Sequence, residues 1–304
     1  MAERPPRYVR HGSSRSSTRA AAVAGLVAGL VALALIGWQV STMSGGKPTT
    51  PTTTVASTGP PPKPVLRIIF PEGFTRTDMA ERITAVNKIA KKKRHISPKL
   101  RAKQYLQLTR SSSLPAKFAG DKQERNLEGF LFPATYDFNG DTKTKQLLKM
   151  QLNAFRNAWK SIDLGYAESK NLTAYDVLII ASMVEKEVQV PRERPLVAAV
   201  IYNRLHVGLP LGIDATIRYG LHIAPTEPIH ESELESDSPY NTRKFTGLPP
   251  TPIGNPGLAS IQAAAHPTKI DYLYFVRKPD CKSHYFTASE SKFFEYTHKG
   301  GLNC

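Results

Sequence analysis

Two carboxylates close the run TAYDVLIIASMVEKEV, residues 173–188. Glu185 and Glu187 are split by Lys186 and follow a mostly apolar stretch: Val177, Leu178, Ile179, Ile180, Ala181, Met183 and Val184. Thr173 with Asp176 three residues later is a variant of the capping box, in which both ends satisfy free backbone N–H groups. The run therefore reads as a helix, and one apolar nearly all round belongs in the middle of a domain. At roughly 100° per residue its apolar face centres on Val177, Ala181, Val184 and Val188, while Lys186 points to water. Glu185 and Glu187 flank that face on its two sides and do not face each other. Only one of them can lead into a given cleft, and helix geometry does not say which. A carboxyl on the edge of an apolar face has a raised pKa and can stay protonated near neutral pH, as a general acid must. The competing reading is a solvated helix end with ordinary salt bridges, since structural ion pairs also perturb pKa.

The elements that must position these carboxylates lie in a basic chain of 304 residues with a formal charge of +16. Residues 1–19 carry five arginines against Glu3, so most of the excess belongs to the remainder. A basic body suits an anionic partner, such as a membrane surface or an acidic wall polymer. No nucleic-acid-binding motif is visible, and nucleic acid is not an expected partner. The two cysteines, Cys281 and Cys304, allow neither a zinc-ligand spacing nor a Cys-x-x-Cys redox motif.

In order, residues 1–19 read as a disordered basic tail on the cytoplasmic side. Residues 20–40 hold no charge over 21 positions, enough to cross a bilayer core of about 30 Å. Trp38 sits at the far interface, and the preceding arginines leave the N-terminus inside and the rest outside. The length of the run and the lack of a clear A-x-A favour an uncleaved anchor over a signal peptide. Residues 41–64 form a Pro/Thr-rich spacer that cannot bury a core.

Residues 65–70 read as a strand. Thr77 and Asp78 are expected to cap a helix to about Lys93, and a second helix is expected over 97–110. Nine Lys/Arg and no acid lie between Lys88 and Arg110, either a solvated helical pair or a contact with lipid headgroups or wall polymers. Residues 142–160 are amphipathic, with Leu148, Leu152, Phe155 and Trp159 on one face. Pro195 suits the start of a helix that runs to about Leu205. Residues 208–216 and 225–256 are expected to be loop, and a loop so long inside a compact domain is usually functional. A short helix over 259–265, a hairpin of 272–276 with 284–287, and a terminal helix over 289–299 complete the chain.

Seven stretches laid out this way, in order, resemble the endolytic murein transglycosylases of the MltG (YceG-like) family. They are FPEG (70–73), LEGFLFPATY (127–136), ASMVEKE (181–187), ERPLVAAVIYNRL (193–205), LPLGIDATIRYG (209–220), SPYNTRKFTGLPPTPIGNPGLASIQAAAHP (238–267) and YLYFV (272–276). The resemblance implies an α+β chain: a single transmembrane helix, a flexible linker, a small truncated LysM-like portion over 65–125, and a mainly helical catalytic domain with a short β-hairpin over 126–304. It implies that Glu187 is the catalytic acid. It also places Asn203, Asp214, Thr216, Tyr240, Asn241, Thr242 and Glu185 along a sugar cleft.

The implied reaction cleaves the β-1,4 bond between N-acetylmuramic acid and N-acetylglucosamine, leaves a 1,6-anhydro end and needs no metal or cofactor. The implied partners are peptidoglycan glycan strands, the cytoplasmic membrane and peptidoglycan synthases of elongation or division; the implied role is to set or end strand length. The alternatives are a hydrolytic muramidase using Glu187 with Asp214 or Glu185, and a non-catalytic wall-binding protein. Two departures stand out. The linker runs almost directly into FPEG, so much of the LysM-like portion is missing. The C-terminal tail carries a cysteine pair, Cys281 and Cys304, expected to form a disulfide outside the membrane.

Overall fold

The computed structural model describes residues 63–110, 118 and 125–299. The basic tail, the expected span over 20–40, nearly all of the linker and Cys304 lie outside the described residues, so the expected Cys281–Cys304 bridge does too. Among the described residues no helix is long and apolar enough to cross a membrane. Residues 60–304 form one compact unit.

Strand β1 (Leu66–Ile69) leads through the FPEG turn into α1 (Arg76–Arg94). The cap of α1 is Thr75, two residues before the expected one. Its hydroxyl accepts from Asp78 N–H at 3.1 Å, and Asp78 in turn accepts from Thr75 N–H at 2.9 Å. Helix α2 (Ala102–Arg110) is shorter than expected. Residues before it are irregular instead, because Lys99 N–H donates to Gly140 O at 3.0 Å and Arg101 N–H to Thr144 Oγ1 at 2.9 Å. Strand β2 (Thr135–Phe138) pairs antiparallel with β1, Ile68 opposite Tyr136. This pairing joins residues on the two sides of position 125. Helix α3 (Thr144–Trp159) then buries Leu147, Leu148, Phe155 and Trp159, and Phe155 and Trp159 meet Phe118 and Phe130 ring against ring.

After the single turn α4 (Gly165–Glu168) comes α5 (Ala174–Glu187), capped as expected by Thr173 and Asp176. Every residue from Tyr175 to Val184 except Asp176 is buried. A short 3₁₀ turn, Pro191–Glu193, opens α6 (Arg194–Val207).

Residues 214–216, expected to be loop, instead begin α7 (Asp214–Leu221). Asp214 in its first turn suits the positive end of a helix, and Ile217 and Thr216 are buried. The Gly- and Pro-rich residues before it mask that start in the sequence. From 222 to 257 the chain is irregular apart from α8 (Glu231–Leu234). Helix α9 (Leu258–Ala265) returns to the centre, where it packs on α5 and α6. Strands β3 (Tyr274–Arg277) and β4 (His284–Thr287) form the expected hairpin, Arg277 opposite His284, and α10 (Glu290–His298) follows, capped by Ser289.

Candidate active site

The two carboxylates at the end of α5 have different fates. Glu185 Oε2 accepts from the backbone N–H of Gly257 at 3.0 Å, and its Oε1 lies 4.0 Å from the Arg194 guanidinium. It caps the entry to α9. A Cβ at Gly257 would stand 1.7 Å from Glu72 Oε1, so any larger residue there would have to displace the Glu72 side chain of the FPEG turn. Lys186 is exposed, as its helix position requires, and Glu187 keeps part of its surface open.

Burial pushes the Glu187 carboxyl up to about 7, and the negative charge of Asp214 adds to the rise. Arg277, a hydrogen bond from Ala215 N–H and Arg243 pull the other way. These neighbours come from three places. Ala215 and Asp214 are the first turn of α7. Arg243 follows the SPYNT stretch, and its Nε donates to Asp214 Oδ1 at 2.6 Å. Arg277 ends β3, directly opposite His284. His284 is itself buried against Glu193, which accepts from its backbone N–H at 3.1 Å and lies 2.8 Å from its Nδ1. Thus a carboxylate at the start of α6 holds the hairpin that presents Arg277.

The other residues expected along the cleft mostly hold its walls. Thr216 and Thr242 lie hydroxyl to hydroxyl at 2.9 Å, and Thr242 accepts from Ile213 N–H at 3.1 Å. Both are buried at the start of α7. Asn241 is fully buried, and its amide donates to Leu234 O at 2.8 Å and Ser236 O at 2.9 Å. Asn203 donates to Ile270 O at 3.0 Å and Tyr272 O at 2.9 Å, fixing the approach to β3. Tyr240 lies 2.8 Å from Thr251 Oγ1 and packs edge-on against Tyr219. Among the predicted residues, Asp214 is the one whose charge reaches Glu187. Arg243 and Arg277 were not singled out from the sequence. Arg243 stood inside the quoted SPYNTRKFTG stretch, but Arg277 is reached only through the β3–β4 register.

A second buried carboxyl also escaped the sequence reading. Glu128 accepts from Arg76 N–H at 3.1 Å, from Tyr219 OH at 3.1 Å and from Asn255 Nδ2 at 2.7 Å. Burial raises it to about 7 against these donors. Asn255 also accepts from Leu131 N–H at 2.9 Å, donates to Phe74 O and exchanges backbone bonds with the FPEG turn. FPEG, LEGFLFP and GNPG, remote in sequence, are one knot behind α5. A groove of about 620 Å³ lies on the Glu185 side, between Glu72, Phe74, Glu81, Arg82 and Lys186; Glu187 does not line it.

The arrangement resembles known proteins over most of its length. The model of the YceG-like family matches residues 48–299. An endolytic murein transglycosylase of Bacillus subtilis (strain 168) is 36% identical over 222 residues, 70% of this chain and 59% of that protein. One from Streptococcus pneumoniae (strain ATCC BAA-255 / R6) is 36% identical over 238 residues, 72% of this chain and 42% of that protein. The chain thus spans about half the length of these relatives. The crystal structure of a yceG-like protein from Listeria monocytogenes matches with a TM-score of 0.61 at 28% identity, covering 75% of each chain.

Proposed function

The chain belongs to the YceG-like family, and from that premise we propose that it is a membrane-anchored lytic transglycosylase acting on peptidoglycan glycan strands, with Glu187 as acid and then base. The observation that carries this reading is the contrast at the end of α5. Glu185 accepts from Gly257 N–H and lies beside the Arg194 guanidinium, whereas Glu187 meets the negative charge of Asp214 and its carboxyl rises to about 7. A proton affinity near neutral pH lets one group give and then take a proton, the optimum for general acid–base catalysis.

Protonated Glu187 donates to the glycosidic oxygen as the anomeric carbon gains positive charge. The resulting carboxylate is supported by Ala215 N–H and faces Arg277 and Arg243. It then takes the proton of the muramoyl 6-hydroxyl, whose oxygen bonds to the anomeric carbon and closes the 1,6-anhydro ring. No water is consumed, and the nucleophile belongs to the substrate. Positioned proton transfer of this kind contributes about 10²–10⁴-fold.

A second reading has one observation in its favour. The Asp214 charge reaches Glu187, and a hydrolytic muramidase needs a second carboxylate, about 5–5.5 Å away for retention or 6.5–9.5 Å for inversion. Asp214 is, however, tied to Arg243 at 2.6 Å. Mass spectrometry of products from purified glycan strands separates the two: anhydro ends, lighter by one water, support the transglycosylase, and reducing ends overturn it. An intact substrate would leave the non-catalytic wall-binding reading.

The anchor is the uncharged run over 20–40, with the compact unit on the outer side. Protease added to spheroplasts should clip the linker and shed the unit; protection of the unit would reverse the topology. The same placement puts the chain beside peptidoglycan synthases, where it would set the length of new strands.

A further inference from the structure

The last turns of α1 carry more positive charge than the fold uses. Lys88, Lys91, Lys92, Lys93, Arg94 and His95 are all exposed. None of Lys88, Lys91, Lys92, Lys93 and Arg94 has an ion-pair partner among the described residues. Cations at a helix C-terminus are favourable, but the effect fades within the last turn. Five uncompensated charges over two turns repel one another. In their midst stands Ile89, an apolar side chain that is 60% exposed.

The position of this cluster is fixed relative to the point where the linker enters. Strand β1 runs inward from residue 63, the chain turns at FPEG, and α1 returns against β1. At about 1.5 Å per residue a helix of this length overruns the four-residue strand. The two ends are then tied by one carboxylate. Asp141 bonds Lys63, at the end of the linker, with one oxygen and Lys99, just beyond α1, with the other. Hydrogen bonds from Lys63 and then Lys99 hold the Asp141 carboxyl down to about 2. Ile96 N–H donates back to Ala90 O, so the chain after α1 folds toward the same place. The basic end of the helix and the mouth of the linker therefore share one face, and Val65 beside Lys63 is exposed there as well.

We infer that this lysine-rich end of α1, with Ile89 at its centre, is a docking face for anionic lipid headgroups of the bilayer from which the linker emerges. The inference rests on the reading of residues 20–40 as an anchor. Charge complementarity draws the face to phosphate-bearing headgroups, and the tether delivers it to them at high effective concentration. Ile89 fits the interface, where an apolar side chain among lysines gains from partial burial. Docking would bring the catalytic unit down to the membrane surface and confine its cleft to glycan at that level.

The test uses the full chain reconstituted in vesicles, with a coumarin-bearing amino acid in place of Ile89 as the reporter. In vesicles with phosphatidylglycerol the emission should shift as the probe leaves water. In phosphatidylcholine alone it should not. About 1 M salt, where the Debye length is about 3 Å, should abolish the shift. Each lysine near an anionic surface is worth about fivefold in binding, so K91E/K92E/K93E should lower the docked fraction by more than tenfold while leaving cleavage of a soluble glycan unchanged. Equal emission in both lipids overturns the proposal. So does a shift that appears only on adding isolated cell wall, which would assign the face to wall polymer. Release of the chain by alkaline carbonate is read separately: it removes the anchor, whereas a retained chain with a solvated probe removes the docking alone.

Discussion

Glu128 and Glu187 are both carboxyls that burial holds up to about 7, yet the surroundings of the two have little in common. Glu128 is ringed by donors from α1, α7 and the GNPG loop, and its residue is 2% exposed. Glu187 receives one backbone N–H, faces two arginines and an aspartate, and keeps an open side. Proton affinity near neutrality follows from desolvation in both cases, so it cannot by itself mark a catalytic group. What differs is the availability of an oxygen. A carboxyl whose lone pairs are already filled by the fold holds segments together; one that is desolvated but incompletely bonded can still exchange a proton with something that arrives. Glu185, two residues from Glu187, also accepts one backbone N–H, from Gly257, but it lies 4.0 Å from the Arg194 guanidinium.

The largest effect that sharpens this contrast is on activity. Glu187→Gln should leave a soluble, folded protein that is slower by at least about 10²-fold, measured as release of glycan ends. Glu185→Gln keeps an amide oxygen for Gly257 N–H and should cost less than tenfold. In the unaltered protein, turnover should fall as pH rises through about 7, because the proton to be donated is lost. An inactive Glu185→Gln beside an active Glu187→Gln would exchange the two roles.

Much of this was legible in the sequence, and the reason is local. The buried helix with its Thr173–Asp176 cap, the hairpin and the terminal helix all rest on periodicity, capping and turn residues, which short stretches carry. Helix geometry leaves Glu185 and Glu187 equivalent, and their partners are not local: Gly257 and Ala215 arrive from other parts of the chain. Thr216, Asn241 and Thr242 fall on motif stretches, but only the fold reveals that Thr216 and Thr242 close the start of α7 and that Asn241 ties down the end of α8. Glu128 and Asn255 were hidden for the same reason: each satisfies donors or acceptors from segments more than a hundred residues apart. Helix α7 was missed because Gly212 and its neighbours announce a loop, while the buried Ile217 and Thr216 that demand a helix are recognisable only once α5 is beside them.

The next effect is on stability. Glu128→Ala removes the acceptor for Arg76 N–H, Tyr219 OH and Asn255 Nδ2 at once. Buried groups left unpaired cost about 1–3 kcal/mol each before relaxation or entering water, and breaking a buried charged network costs about 3–5 kcal/mol. At about 2–4 °C per kcal/mol for a unit of this size, the melting temperature should fall by roughly 6–20 °C, followed by circular dichroism. Glu128→Gln keeps one acceptor, and Tyr219 OH can turn to accept from the new amide, so it should melt within a few degrees of the parent and stay active at low temperature. A folded Glu128→Gln as inactive as Glu187→Gln would break the comparison by bringing Glu128 into the chemistry.

The smallest effect tests whether desolvation is what the two carboxyls share. In an unfolded chain a glutamate titrates near about 4.3; in the folded chain Glu187 titrates at about 7. Between those values the folded state holds a proton that the unfolded state has lost. The stability contributed by that carboxyl is therefore complete below about pH 4.3 and is lost as pH rises through about 7. Glutamine carries no such charge at any pH. Glu187→Gln should accordingly match the parent in melting temperature at pH 4.5 and exceed it by a few degrees at pH 8. Glu128→Gln should gain less at pH 8, because the charged form of Glu128 is met by three donors and Glu187 by one backbone N–H. A gain of equal size at both pH values would trace the effect to packing rather than to the buried charge. A loss at pH 8 would mean that Arg277 and Arg243 outweigh desolvation, and that the carboxylate is the resting form of Glu187.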